Sequence, residues 1–201
     1  SYNVVSNTDI SHILAKCKPK KTISSYDIDT TKKILNYARK NKKYAIYYLL
    51  LQTGMRIGEA SALTWNDIDY KTIKIDKILV YIHNRGLSLE DRTKTKSGQR
   101  IISITASLCE FLKELKMKSN SNKVFANSKN NYDSPMNYRK KWIRLCSELN
   151  IEYKNIHALR HTWATLTISA GANIKVVSQM LGHKDVAITM NTYQTVLKEH
   201  Q

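Results

Sequence analysis

The chain has 201 residues, 42% of them hydrophobic, enough for one domain with a true core and too apolar for a disordered chain. Its 33 Lys and Arg against 16 Asp and Glu give a formal charge of +17. That excess runs through every quarter of the chain rather than a tail, which favours a polyanionic partner, nucleic acid first. No stretch approaches the roughly 18 apolar residues of a membrane-spanning helix, and none has the pattern of a signal peptide. The three cysteines, Cys17, Cys109 and Cys146, are odd in number and far apart, which points to a reducing cytoplasm and away from a disulfide framework or zinc knuckle.

In chain order, residues 1–26 are polar and weakly periodic and include the basic Lys18-Pro19-Lys20-Lys21 run, which reads as a solvated linker. Ile28, Ile34, Leu35 and Ala38 then fall on one face of a helix ending near Arg39. A more apolar helix follows at 44–52, with Gly54 as its stop, and a short one around Glu59–Leu63. The period changes in the middle: 72–75, 78–83 and 100–104 are rich in β-branched residues, with a turn at Ser97-Gly98. They predict a small antiparallel sheet with a hairpin. Helices resume at 105–117, 135–149, 157–170, 174–181 and 186–191, with Pro135 in a first turn and Gly171 and Gly182 as stops. The expected fold class is α+β, mostly helical, with one small antiparallel sheet.

Four short signals carry chemistry. Thr53-Gly54-Met55-Arg56-Ile57-Gly58-Glu59 places an arginine in a glycine-flanked break between two helices. That suits either a turn cap or a guanidinium held to grip phosphate bidentately, with Glu59 one turn on to orient it. Lys96 lies beside the predicted hairpin turn, where a lysine is either solvated or delivered on a movable arm. In His157-Ala158-Leu159-Arg160-His161-Thr162-Trp163, the residues Ile156, Leu159, Trp163, Leu166 and Ala170 take the core face. His157, Arg160 and His161 take the adjacent one. Histidines four apart also suggest zinc, but the Glu of the HExxH pattern is absent. Last comes Leu181-Gly182-His183, with Tyr193 ten residues after the histidine. Asp27/Asp29 and Asp67/Asp69 do not look like a two-metal nuclease site.

Taken together and in this order, TGMRIGEASALTW, TKTKSGQRIISI, HALRHTWAT and MLGHKDVAITMNTY resemble the boxes of the tyrosine recombinases, closest to the lambda-like integrases of phages and mobile elements. The resemblance covers roughly residues 22–195; Ser103 stands where many members have proline. It implies a catalytic domain over 22–201, with 1–21 as linker or tail of a core-binding domain. By resemblance, Arg56 and Arg160 are phosphate-clamping arginines supported by Glu59, and Lys96 is the general acid for the leaving 5′ oxygen. His157 is a proton acceptor or orienting group, His183 a second phosphate ligand, and Tyr193 the nucleophile that forms a 3′-phosphotyrosyl bond. Arginines and histidines stabilise charge developing on phosphorus, and a phenol of pKa near 10 needs that field or a base. The covalent intermediate conserves bond energy, so no metal, ATP or other cofactor is implied. The implied partners are double-stranded DNA, fellow protomers in a tetramer on DNA, and excision and host DNA-bending factors, with no membrane. A type IB topoisomerase and a non-catalytic DNA-binding module are the alternatives.

Overall fold

The computed structural model describes residues 25–91 and 99–193, together with the backbone of Val4 and Val5. Lys96, the Ser97-Gly98 turn and residues 194–201 lie outside the described residues.

Helix α1 (Ile28–Lys40) begins where the Asp27 carboxylate accepts the Thr30 N–H at 2.8 Å, and Arg39 and Lys40 in its last turn meet the negative end of the helix dipole. It buries the stripe Thr31, Ile34, Leu35 and Ala38. Helix α2 (Ala45–Thr53) carries no such stripe: all nine of its residues are buried, as a helix apolar all round must be. It is the central pole of the core. Gly54 ends it in the left-handed region at φ 65°, and the short α3 (Ile57–Ala62) starts three residues later.

Two small sheets occupy the middle. Strand β2 (Thr72–Ile75) pairs antiparallel with β5 (Arg100–Ser103), Ile73 opposite Ile102, and β1 (Val4–Val5) adds to β5 in parallel. Strands β3 (Lys77–Ile82) and β4 (Gly86–Asp91) make a separate antiparallel hairpin, Leu79 opposite Leu89. The fold class is the expected one, but β3 pairs with β4, an element the sequence did not suggest. Gly-Leu-Ser-Leu-Glu-Asp holds no β-branched or aromatic residue, so its strand propensity is poor. It pairs because the tight turn at Asn84, which adopts φ 65°, returns it alongside β3; asparagine tolerates that conformation.

The remaining helices follow the sequence pattern closely. Thr105 caps α4 (Ala106–Met117), and Ser134 caps α5 (Pro135–Glu148), with Pro135 in its first turn. Then come α6 (His157–Ser169), α7 (Ile174–Leu181) capped by Asn173, and α8 (Val186–Thr192) capped by Asp185. Helix α6 packs on α2, with Leu159, Trp163 and Leu166 fully buried. Trp142 of α5 lies against the rings of Tyr26 and Tyr47 and donates its indole N–H to the Lys154 carbonyl at 2.7 Å. The core therefore holds three things in fixed relation: the α2–α3 break, the N-terminal half of α6, and the C-terminus of α7.

Candidate active site

The site grows from a turn. Because Gly54 is left-handed, the chain reverses at once after α2, and Arg56 becomes the residue that opens α3. Its own N–H donates to Glu59 Oε2 at 2.9 Å, and its guanidinium donates to Glu59 Oε1 at 3.2 Å. A Cβ on residue 54 would come within 2.3 Å of the Trp163 ring, so glycine also lets α6 approach this turn. Approach matters: Arg160, one helical turn before Trp163, donates to the Gly54 carbonyl at 2.9 Å.

Both arginines converge on the end of α7. Arg56 Nη1 and Arg160 Nη2 donate to the Leu181 carbonyl at 3.2 and 2.7 Å. That carbonyl is available because helix ends leave their last acceptors unpaired, and Gly182, left-handed at φ 67°, terminates α7 there. Arg160 Nη2 also lies 3.0 Å from His183 Nε2. An arginine can only donate, so Nε2 accepts and neutral His183 carries its proton on Nδ1, which donates to Thr189 Oγ1 at 2.7 Å. Arg160 thereby sets the histidine's tautomer, and Thr189, fully buried on α8, accepts the Nδ1 proton.

Glu59 is more than a support for Arg56. It is 1% exposed, and Arg100, itself buried at the start of β5, grips both its oxygens at 3.1 and 2.8 Å. The Arg100 Nε–H donates to the Met180 carbonyl at 2.6 Å. Burial alone would raise the Glu59 carboxyl, but the charge and hydrogen bonds of Arg100, then those of Arg56, hold it at about 2. Three guanidinia around one carboxylate leave the cluster with a positive excess suited to an anion. Sequence reasoning missed Arg100, because a single arginine at a strand start carries no periodic signal; the buried Glu59 is what calls for it.

The histidines are kept neutral. Desolvation first, then neighbouring positive charge, pushes His157 and His183 down to about 4. Burial, with Arg56 next, also lowers Arg160, though a guanidinium stays protonated at neutral pH. Tyr193 follows α8 and is 4% exposed. Burial pushes its phenol up to about 12 against the pull of Arg160. Its hydroxyl lies 3.0 Å from His161 Nδ1, while His157 meets His161 edge to face at 4.8 Å. The structure thus brings together Arg56, Glu59, Arg160, His183, Tyr193 and, through His161, His157. Among the described residues, no group of three His, Cys, Asp or Glu is placed to hold a metal ion. Beside Arg56, His157 and Arg160 opens a cavity of about 380 Å³, walled by Leu50, Met55, Ile78 and Ile156. Its apolar wall strengthens the field that the arginines exert.

Comparison with known proteins agrees with this arrangement. The profile of the phage integrase family matches residues 24–200, and the chain belongs to that family. A tyrosine recombinase XerC-like protein of Caldanaerobacter subterraneus subsp. tengcongensis is 27% identical over 89% of this chain and 52% of its own length. The transposase from transposon Tn916 of Enterococcus faecalis is 31% identical over 80% of this chain and 45% of its own. The chain thus spans about half the length of these relatives. Among solved structures, the Tn1549 transposon integrase in complex with transposon right end DNA superposes with a TM-score of 0.76 at 23% identity, over 89% of this chain and 62% of that one. At that identity the likeness establishes the fold.

Proposed function

We propose that this chain is the catalytic domain of a site-specific tyrosine recombinase, which cleaves and rejoins DNA through a 3′-phosphotyrosyl intermediate to integrate or excise a mobile element or prophage. The observation that carries it is the convergence of Arg56, Arg160 and His183 on the end of α7, with the Tyr193 hydroxyl bonded to the residue next to Arg160. Two guanidinia presented to one phosphate stabilise the charge that builds on its oxygens as the phenol attacks. In this reading Arg56 and Arg160 clamp the phosphate, and Glu59 with Arg100 fixes the clamp. His183 ligates a phosphate oxygen once the phosphate takes over Arg160 and Nε2 carries a proton. His157 is a proton acceptor or orienting group for the nucleophile, Tyr193 attacks, and Lys96 protonates the leaving 5′ oxygen.

Relatives named as recombinase and transposase, and a neighbour carrying transposon-end DNA, support duplex DNA as the substrate. The same reading takes fellow protomers as partners, four on two DNA sites, with excision and host DNA-bending factors joining them. It places the chain in the bacterial cytoplasm, at the nucleoid, and divides it into a linker over 1–21 and the catalytic domain over 22–201. No helix of the described residues is long and apolar enough to cross a membrane.

The test is a covalent adduct on a nicked duplex from which the cleaved end diffuses away. A library of such duplexes with randomised sequence, from which the covalently attached members are recovered, supplies a defined substrate. Tyr193→Phe keeps the ring and its packing, so DNA binding should survive while the adduct, read on a denaturing gel, disappears. The other eleven tyrosines should each tolerate phenylalanine without losing it. A normal adduct from Tyr193→Phe would falsify the assignment.

A further inference from the structure

The hydrogen-bond partner of the Tyr193 phenol is none of the positions that the family resemblance assigns. His161 Nδ1 lies 3.0 Å from Tyr193 Oη, with the two rings 6.0 Å apart and tilted by 54°. His157, expected as a proton acceptor or orienting group, sets its ring edge to face against His161 at 4.8 Å and 86°. We propose that His161 is the general base of the cleavage step, taking the phenolic proton of Tyr193 as the phenol attacks a DNA phosphate. This rests on the reading of Tyr193 as the nucleophile.

The proton inventory closes. The Oη–H bond breaks and its proton passes to Nδ1, making an imidazolium. The Oη electron pair forms the bond to phosphorus. The bond from phosphorus to the 5′ oxygen breaks, and that oxygen keeps the electron pair and takes a proton from the general acid, Lys96 in the reading above. Rejoining reverses each transfer: the 5′ hydroxyl attacks, and the imidazolium returns its proton to the departing phenol. A phenol that must leave again needs an acid beside it, so one residue serves both directions.

Three features suit His161 to this work. Its ring is half-buried and hydrogen-bonded to the reacting oxygen, well inside the reach required of a base. Burial first, then the charge of Arg160, holds it below the ordinary histidine range, so at neutral pH it offers a lone pair rather than a proton. It also directly follows Arg160 on α6, whose flanking residues Leu159 and Trp163 are fully buried. The clamp and the base are thus built on one rigid helical turn, and a phosphate held by Arg160 is brought to the same phenol that His161 holds.

The electrostatics make this base responsive to substrate. The charged and titratable groups around it are Arg160 and His157 on α6 and Tyr193 beyond α8, with Arg56 and His183 on the far side of the clamp. In the empty site, an imidazolium would form beside guanidinia that the single Glu59 carboxylate only partly neutralises, which disfavours it. A phosphodiester between Arg56 and Arg160 supplies the missing negative charge, and more develops as the phenol attacks. The basicity of His161 therefore rises only when DNA is in place, and Tyr193 stays an inert, buried phenol until then.

The test pairs His161→Asn with a ring-fluorinated tyrosine at position 193, using the nicked duplex selected above. The asparagine amide stands where Nδ1 stood and can bond the phenol, but it cannot take a proton. With ordinary Tyr193, His161→Asn should slow adduct formation on the order of 10²-fold, the usual contribution of a general base. The more acidic fluorinated phenol needs a base less, and should recover most of that loss within the same His161→Asn chain, which guards against simple misfolding. Near-normal cleavage by His161→Asn with ordinary tyrosine overturns the proposal. An equal loss with both tyrosines overturns it too, leaving His161 a positioning residue. No adduct from the unaltered chain, or an adduct from Tyr193→Phe, removes the nucleophile reading itself and the base with it.

Discussion

At the scale of single residues, the site is organised by a buried carboxylate as much as by the arginines that line the cavity. Glu59 is held by Arg100 on both oxygens and by Arg56 on its other side. Removing Arg100 takes the bidentate partner from a buried charge and leaves it to Arg56, so Arg100→Ala should cost about 3 kcal/mol of stability, read as a lower midpoint in urea. An unchanged midpoint would show that water or another group already compensates Glu59. Acid should act in two steps, because shifted pKa values make stability depend on pH. Unfolded, His157 and His183 protonate near 6.5; folded, they wait until about 4. The stability they contribute is complete above 6.5 and lost as pH falls toward 4. The Glu59 contribution is complete above 4.5 and lost as pH falls toward 2. Urea midpoints measured across this range check both steps. A flat profile between pH 6.5 and 4 would contradict neutral, desolvated histidines.

At the scale of elements, one turn couples the core to the chemistry. Gly54 caps α2 in a left-handed conformation and leaves room for Trp163, while its carbonyl anchors Arg160. Gly54→Ala adds a strained φ and a collision with a fully buried indole. It should destabilise the chain by more than about 1 kcal/mol, the cost of the backbone strain alone, and should slow adduct formation even in molecules that remain folded. A wild-type cleavage rate at a temperature where the variant is folded would show that the arginines do not depend on this turn. The same turn explains what the sequence made legible. Helices α1, α2 and α4 to α8 announced themselves through periodicity, N-caps and glycine stops, and their ends lie within a residue or two of expectation. Arg56 and His183 stood at element boundaries with glycines nearby, and Arg160 stood in the His157-x-x-Arg160 spacing of an amphipathic helix, where local signals are strong. Strand β4 carried none, because its pairing with β3 comes from the turn and not from its own side chains. Arg100 and Thr189 were hidden for a related reason. Each acts on a residue outside its own element, Arg100 on Glu59 of α3 and Thr189 on His183 in the loop before α8, and no spacing rule reports such a pairing. The contact between His161 and Tyr193 belongs with them, since it joins residues 32 apart that meet only in the folded chain.

At the scale of the whole molecule, the net charge of +17 has to be reconciled with a compact fold and a small site. Three guanidinia and one carboxylate account for little of it. Most of the excess belongs to lysines and arginines elsewhere, exposed Lys32, Lys33, Lys113 and Lys140 among them. Such charge has little to gain from internal ion pairs, and on the described surface several lysines instead lie over aromatic rings, Lys116 near Trp65 and Tyr70, and Lys123 near Tyr132. A surface like this binds a duplex mainly through its phosphates and releases condensed counterions as it does so. The expectation is weak, largely sequence-independent binding whose strength is set by salt. If about six phosphates are contacted, affinity for a mixed-sequence duplex should fall roughly 10³-fold or more between about 50 and about 200 mM salt. Arg56→Ala removes at most one contact, so it should lower the slope of that titration by about one and leave most of the affinity intact, while adduct formation falls on the order of 10²-fold or more. On the proposed function, binding and cleavage draw on different residues: the broad basic surface brings DNA to the protein, and the clamp acts on the one phosphate that reaches it. A fluorescence-anisotropy titration across that salt range, run on the unaltered chain and on Arg56→Ala, decides the matter. A flat salt response, or an Arg56→Ala chain that loses binding as steeply as cleavage, would place the affinity in the clamp rather than in the surface charge.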